Sequence, residues 1–126
     1  MDDNSIRSFK RRGSRVTPRQ GDARNRLMNQ FTLADFSNLR AEFESCEQIV
    51  IEIGTGMGEA TREMALANPS IGILAVEVHR PGIGSLLADI EELELSNVRV
   101  AEMDAISLLE DRKSTRLNSS HLGISY

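Results

Sequence analysis

The run Ile49-Val50-Ile51-Glu52-Ile53 passes directly into Gly54-Thr55-Gly56-Met57-Gly58 and then into a segment of helical period. This order constrains the fold more than any other feature of the chain. A short β-branched run bounded by glycine reads as a buried strand. The apolar residues that follow, Ala60, Met64 and Ala67, share one face of a helix over Glu59–Ala67 that Asn68-Pro69 stops. The unit then recurs. Residues 73–78 predict a second strand, Pro81 suits the first turn of a helix running to Leu93, and Val98–Glu102 predicts a third strand, with a helical turn at residues 105–109. Strands and helices alternating at this spacing make parallel βαβ units. The expected class is α/β, the first half of a doubly wound parallel sheet.

A length of 126 residues with 40% apolar content suits one domain. No apolar run approaches the ~18–20 residues of a membrane-spanning helix, and the opening MDDNSIRSFKRR lacks the apolar stretch of a secretory signal, so a soluble cytoplasmic protein is expected. Cys46 has no second cysteine to pair with, and His79 and His121 alone assemble no metal-ligand spacing. Neither a disulfide scaffold nor a metal centre is expected.

The net charge of −4 hides an asymmetry. Residues 1–26 carry eight basic and three acidic side chains, whereas residues 27–110 carry four basic and fifteen acidic ones. Residues 1–26, with Gly13, Pro18 and Gly21 and no sustained period, read as a flexible basic arm, a type of segment that often meets a polyanion. Leu27, Phe31, Leu33, Phe36, Leu39 and Phe43 predict one or two short amphipathic helices before the first strand. The domain is therefore expected over residues 27–110. The remaining residues, DRKSTRLNSSHLGISY, show no apolar period and a sharp shift to Ser, Arg and Asn. From Asp111 to His121 they resemble the translated sequence of a sequencing-library adapter, and residues 111–126 read as a non-native tail.

Glycines between a strand and a helix permit a tight turn and close approach of a ligand to the backbone. A dinucleotide fingerprint requires G-x-G-x-x-G, but the third glycine position is Glu59 and the pattern here is G-x-G-x-G, at Gly54, Gly56 and Gly58. That spacing disfavours a nicotinamide-dependent oxidoreductase. Glu52 places negative charge two residues before the turn, which suits a cationic ligand such as S-adenosylmethionine better than a pyrophosphate. Glu77 closes the second strand 23 residues after Gly54, near the offset at which such folds place an acid on ribose hydroxyls. Asp104 follows the third strand, where it can meet the same ligand or cap the helical turn after it. His79 reads as structural, and Cys46, between Glu44 and Glu47, is a poor nucleophile.

Glu52-Ile-Gly-Thr-Gly-Met-Gly-Glu59, Glu77-Val-His-Arg-Pro-Gly-Ile-Gly-Ser-Leu-Leu87, Ser96-Asn-Val-Arg-Val100 and Asp104-Ala105 together resemble the bacterial tRNA (guanine-N7-)-methyltransferase family. The arm Arg7-Ser-Phe-Lys-Arg-Arg-Gly-Ser-Arg-Val-Thr17 is similar to that family's basic N-terminal segment. The resemblance implies a class I S-adenosylmethionine-dependent fold that methylates N7 of a guanosine in the tRNA variable loop. It implies that Glu52 lies near the methionine moiety, Glu77 takes the ribose and Asp104 lies by the adenine. It further implies that Arg7, Lys10, Arg11, Arg12 and Arg15 meet tRNA phosphates. Guanine N7 already carries a free lone pair, so positioning rather than proton transfer is expected to govern the rate, and no catalytic residue is assigned.

The family's fourth strand, the loop after it and its guanine pocket have no counterpart in residues 1–110, and residues 111–126 are not expected to replace them. In the fold implied by the resemblance, the first strand is central. It is therefore expected to expose a bare apolar edge in this chain, with aggregation as the consequence. The competing reading is a binding module that holds RNA or S-adenosylmethionine without catalysis.

Overall fold

A computed structural model describes residues 15–33, 37–104, 106, 107, 110 and 122–125. The elements are helices α1 (Pro18–Phe31) and α2 (Leu39–Glu42), strand β1 (Gln48–Ile53), helix α3 (Glu59–Ala67), strand β2 (Ile71–Glu77), helix α4 (Arg80–Glu92), and strands β3 (Val98–Glu102) and β4 (Leu122–Ser125). They form one parallel sheet in the order β3-β2-β1-β4. Among the described residues no helix is long and apolar enough to cross a membrane.

Side-chain alternation divides the sheet into two apolar faces. Ile73 and Ala75 of β2 and Val98 and Val100 of β3 pack under α1, α3 and α4, with Leu27, Ala65, Ile83, Leu87 and Ile90. Ile49 and Ile51 of β1, Leu74 and Val76 of β2 and Ala101 pack on the other face with Leu39, Phe43 and Cys46. Every residue of β2 from Gly72 to Glu77 is buried, as a strand covered on both faces requires. Asn97 fixes the turn before β3: its buried amide donates to the carbonyls of Ala65, Asn68 and Ile71 at 3.2, 3.1 and 2.9 Å.

The structure corrects the sequence reading at both ends of the domain. The helix α1 begins at Pro18, inside the segment expected to be a flexible arm. Thr17 and Gln20 form a reciprocal capping box, Thr17 Oγ1 accepting the Gln20 N–H at 3.2 Å and Gln20 Oε1 accepting the Thr17 N–H at 2.9 Å. The Thr-Pro-Arg-Gln order carries that signature, and the charged residues around it obscured the period. Three of the arginines counted in the arm are paired with the acidic body. Arg19 binds Asp89 and Glu92, Arg24 binds Glu102, and Arg26 binds Asp22 and Glu91. Three of the eight basic side chains of residues 1–26 are thus paired within the fold.

At the other end, β4 lies beside β1 with Ile49 opposite Leu122 and Glu52 opposite Ser125. The edge expected to be bare carries a strand, drawn from the segment expected to contribute none. The cause is the row of backbone donors and acceptors along β1, which any extended segment within reach can satisfy.

Candidate functional site

Three of the candidate site residues, Gly54, Glu77 and Asp104, gather where β1, β2 and β3 end. Gly54, Gly56 and Gly58 all have positive φ, at 72°, 60° and 88°, conformations that L side chains rarely adopt. Among the described residues a Cβ at Gly54 or Gly56 would meet nothing within 4 Å, which leaves the loop's outer side open to them. Gly58 is the left-handed N-cap of α3, and a Cβ there would lie 2.5 Å from Leu86 of α4.

Glu77 ties the loop to the sheet. One carboxylate oxygen accepts the Gly56 N–H at 2.7 Å, and the other accepts the N–H groups of Val78 and His79, each at 3.0 Å. A carboxylate offers about four lone-pair positions. Among the described residues three are engaged, which leaves one for a hydroxyl. His79 is the N-cap residue of α4 and acts through its backbone, its carbonyl accepting the Ile83 N–H at 3.1 Å. Gly82, one turn into α4, approaches the loop so closely that a Cβ would lie 2.0 Å from the Gly56 carbonyl oxygen. The Pro81-Gly82 pair thus has a mechanical basis: proline opens the helix and glycine admits the loop.

A cavity of about 150 Å³ lies against this edge, lined by Ile53, Gly54, Val76, Glu77, Val78, Met103 and Asp104. It is smaller than the roughly 300–1,000 Å³ of a complete small-ligand site and can seat one part of such a ligand. Asp104 accepts the backbone N–H of Ser107 at 2.8 Å. That bond, with the Ser107 hydroxyl and the Ile106 backbone, holds its carboxyl below the usual carboxylate range. Asp104 is therefore both cap and cavity wall. The Thr55 hydroxyl is buried without a hydrogen-bond partner among the described residues, which leaves the loop a polar group for a ligand to satisfy.

The structure brings Gly54, Glu77 and Asp104 together around the cavity and holds Gly56 through Glu77. Glu52 is not part of the lining, and its carboxylate accepts a hydrogen bond from the Thr61 hydroxyl of α3. Arg15 is exposed just before α1, while Arg7, Lys10, Arg11 and Arg12 lie outside the described residues. Sequence reasoning missed Met103, Val78 and the apolar ends of β1 and β2 as cavity walls, because single apolar residues at strand ends carry no pattern of their own. Cys46 is buried in the α2 face, away from this edge. Among the described residues no group of His, Cys, Asp or Glu could hold a metal ion.

Comparison with known proteins shows the family. A family model described as "Putative methyltransferase" matches residues 46–118, running past Glu110 into the segment read as a tail. The chain is 48% identical over 109 residues to a tRNA (guanine-N(7)-)-methyltransferase of Streptomyces avermitilis, a match covering 84% of this chain and 38% of the relative. It is 43% identical over 110 residues to one from Neisseria meningitidis serogroup A, covering 85% of this chain and 46% of the relative. The chain thus spans less than half the length of either relative. In fold it is similar to an antibiotic-related methyltransferase, with a TM-score of 0.55 at 18% identity over 63% of this chain and 41% of that one. The 16S rRNA methyltransferase KamB gives a TM-score of 0.51 at 18% identity over 59% of this chain and 36% of that one. With more than half of its residues inside the family model and its glycine loop built as a strand-to-helix turn, the chain belongs to this methyltransferase family.

Proposed function

We propose that this chain carries the S-adenosylmethionine-binding half of a tRNA (guanine-N7-)-methyltransferase, a cytoplasmic enzyme that methylates a variable-loop guanosine. The observation that carries this reading is Glu77, which joins the glycine loop to the end of β2 and keeps one acceptor position at a cavity bounded by Gly54 and Asp104. When bound, S-adenosylmethionine supplies a sulfonium-activated methyl group. Glu77 would accept from its ribose, and the apolar ends of β1 and β2, Met103 and Asp104, which line the cavity, would hold its base. The open outer side of Gly54 and Gly56 leaves the loop backbone free to approach the amino-acid end. Glu52, expected beside that end, acts through α3 by receiving the Thr61 hydroxyl and fixing the strand-to-helix turn. The relatives named above are tRNA methyltransferases, and the exposed Arg15 continues the basic run of Arg7, Lys10, Arg11 and Arg12, which would contact tRNA phosphates.

Equilibrium dialysis of the full chain with labelled S-adenosylmethionine tests the reading. Saturable binding is expected, with Asp104→Ala weakening it by about tenfold, the loss of about 1.4 kcal/mol on removing a charged hydrogen-bond partner. No saturable binding, or binding indifferent to Asp104, refutes it. The chain alone is expected to bind S-adenosylmethionine without transferring its methyl group to tRNA, and transfer by it would contradict the half-enzyme reading.

A further inference from the structure

We propose that Asp89 is a positioning residue for the glycine loop: through Arg62 it clamps α3 to α4 at the separation that lets Gly56 reach Glu77. Gly82, Leu86 and Asp89 recur at four- and three-residue intervals and form one stripe on α4. Each meets a successive part of the unit opposite. Gly82 receives the Gly56 carbonyl, Leu86 fills the space beside Gly58, and Asp89 binds Arg62 of α3 at 2.9 Å. The loop is thus held between two helices, and the Asp89–Arg62 pair closes that contact one turn beyond the N-cap of α3.

Asp89 is 5% exposed, and its other carboxylate oxygen binds Arg19 of α1 at 3.1 Å. Arg19 is itself about half exposed and also bound to Glu92. The two arginines therefore have different roles. Arg62 sets the α3–α4 spacing, whereas Arg19 fastens α1 to the outside of α4. A buried carboxylate left with one arginine still has a counter-charge, so loss of Arg19 spares the clamp.

The proposal rests on the cofactor reading above only for its ligand-binding readout. Hydrogen exchange of the Gly56 and Gly58 amides in the ligand-free full chain reports the clamp directly, because these amides donate to Glu77 and to the Thr55 carbonyl. Arg62→Met and Asp89→Asn are expected to speed exchange at both glycines by about tenfold relative to amides at the centre of β2, and to weaken S-adenosylmethionine binding about as much. Arg62→Lys should recover most of the protection. Arg19→Met should lower the melting temperature and leave loop exchange unchanged. Equal acceleration in Arg19→Met, or unchanged loop exchange in Arg62→Met, overturns the proposal. If Asp89→Asn does not fold, the Arg62→Met and Arg62→Lys pair decides. If the wild-type chain binds no S-adenosylmethionine while Arg62→Met still frees the loop, the clamp stands and the cofactor reading fails.

Discussion

Replacing Gly82 with alanine tests the packing of the glycine loop, because two effects of opposite sign compete at that position. Alanine is favoured over glycine in a helix by up to about 1 kcal/mol, so propensity alone predicts a gain. The geometry predicts a loss. A Cβ at Gly82 would lie 2.0 Å from the Gly56 carbonyl oxygen, a backbone atom that can yield only if the loop moves. Overpacking of this kind costs roughly 1–3 kcal/mol. Displacing the loop also breaks the 2.7 Å bond from Gly56 to Glu77, a charged hydrogen bond of about 1.5–3 kcal/mol. The net expectation is a destabilisation of about 1.5–5 kcal/mol, or a fall of roughly 6–20 °C in melting temperature at about 4 °C per kcal/mol. Gly21 in α1 is the control. Among the described residues a Cβ there meets only Val16, at an ordinary 3.6 Å, so Gly21→Ala should stabilise by about 0.5–1 kcal/mol. Urea unfolding of both variants measures the difference. Stabilisation by both substitutions would refute the argument, since helix propensity would then outweigh the loop contact.

Asn97→Ala removes an amide that serves three buried carbonyls and should cost about 2–3 kcal/mol, measurable as a lower urea midpoint with the slope unchanged. Thr61→Val, which keeps the shape but removes the hydroxyl donated to Glu52, should cost about 1–3 kcal/mol, and a loss below about 0.3 kcal/mol would remove Glu52 from the turn's support. Glu91 and Glu92 are held below the usual carboxylate range chiefly by hydrogen bonds from Arg26 and Arg19, so their contribution is present above pH about 4.3 and is lost as pH falls through their depressed values. Glu91→Gln with Glu92→Gln should flatten the acid limb of the stability curve, and an unchanged limb at low salt would contradict the pairing. Deleting residues 122–126 should expose the β1 edge and raise light scattering at equal concentration, whereas unchanged scattering would mean that β4 does not protect it. We propose that residues 111–126 are a translated adapter sequence. The underlying nucleotides should then spell that adapter in frame from Asp111, and other codons there would reject that origin.

The central part of the fold was readable because its signals are local. The β-branched run of β1 ends at three glycines that need positive φ, and the helix Glu59–Ala67 and the strand Val98–Glu102 fall where the periodicity places them. The N-terminal helix was not readable in this way. Its buried residues, Gln20, Ala23 and Leu27, give a thin apolar stripe, and its docking depends on the near-contact of Gly84 with the Gln20 backbone and on arginine pairs to residues far along the chain. Contacts between distant residues leave no period. The same limit applies at the site. Gly54, Glu77 and Asp104 were found from their places at strand ends, whereas the engagement of Glu52 by Thr61 and the seating of Gly56 on Gly82 exist only once the helices are packed.

The most direct test of the central claim, that the ends of β1, β2 and β3 hold S-adenosylmethionine, is a titration of the nitrogen-15-labelled full chain followed by amide chemical shifts. Saturable shifts are expected at Gly54, Gly56, Glu77, Val78, Met103 and Asp104, with the amides of α2 and of the turn before β3 unmoved. Shifts confined to another surface, or none at saturating ligand, would contradict it.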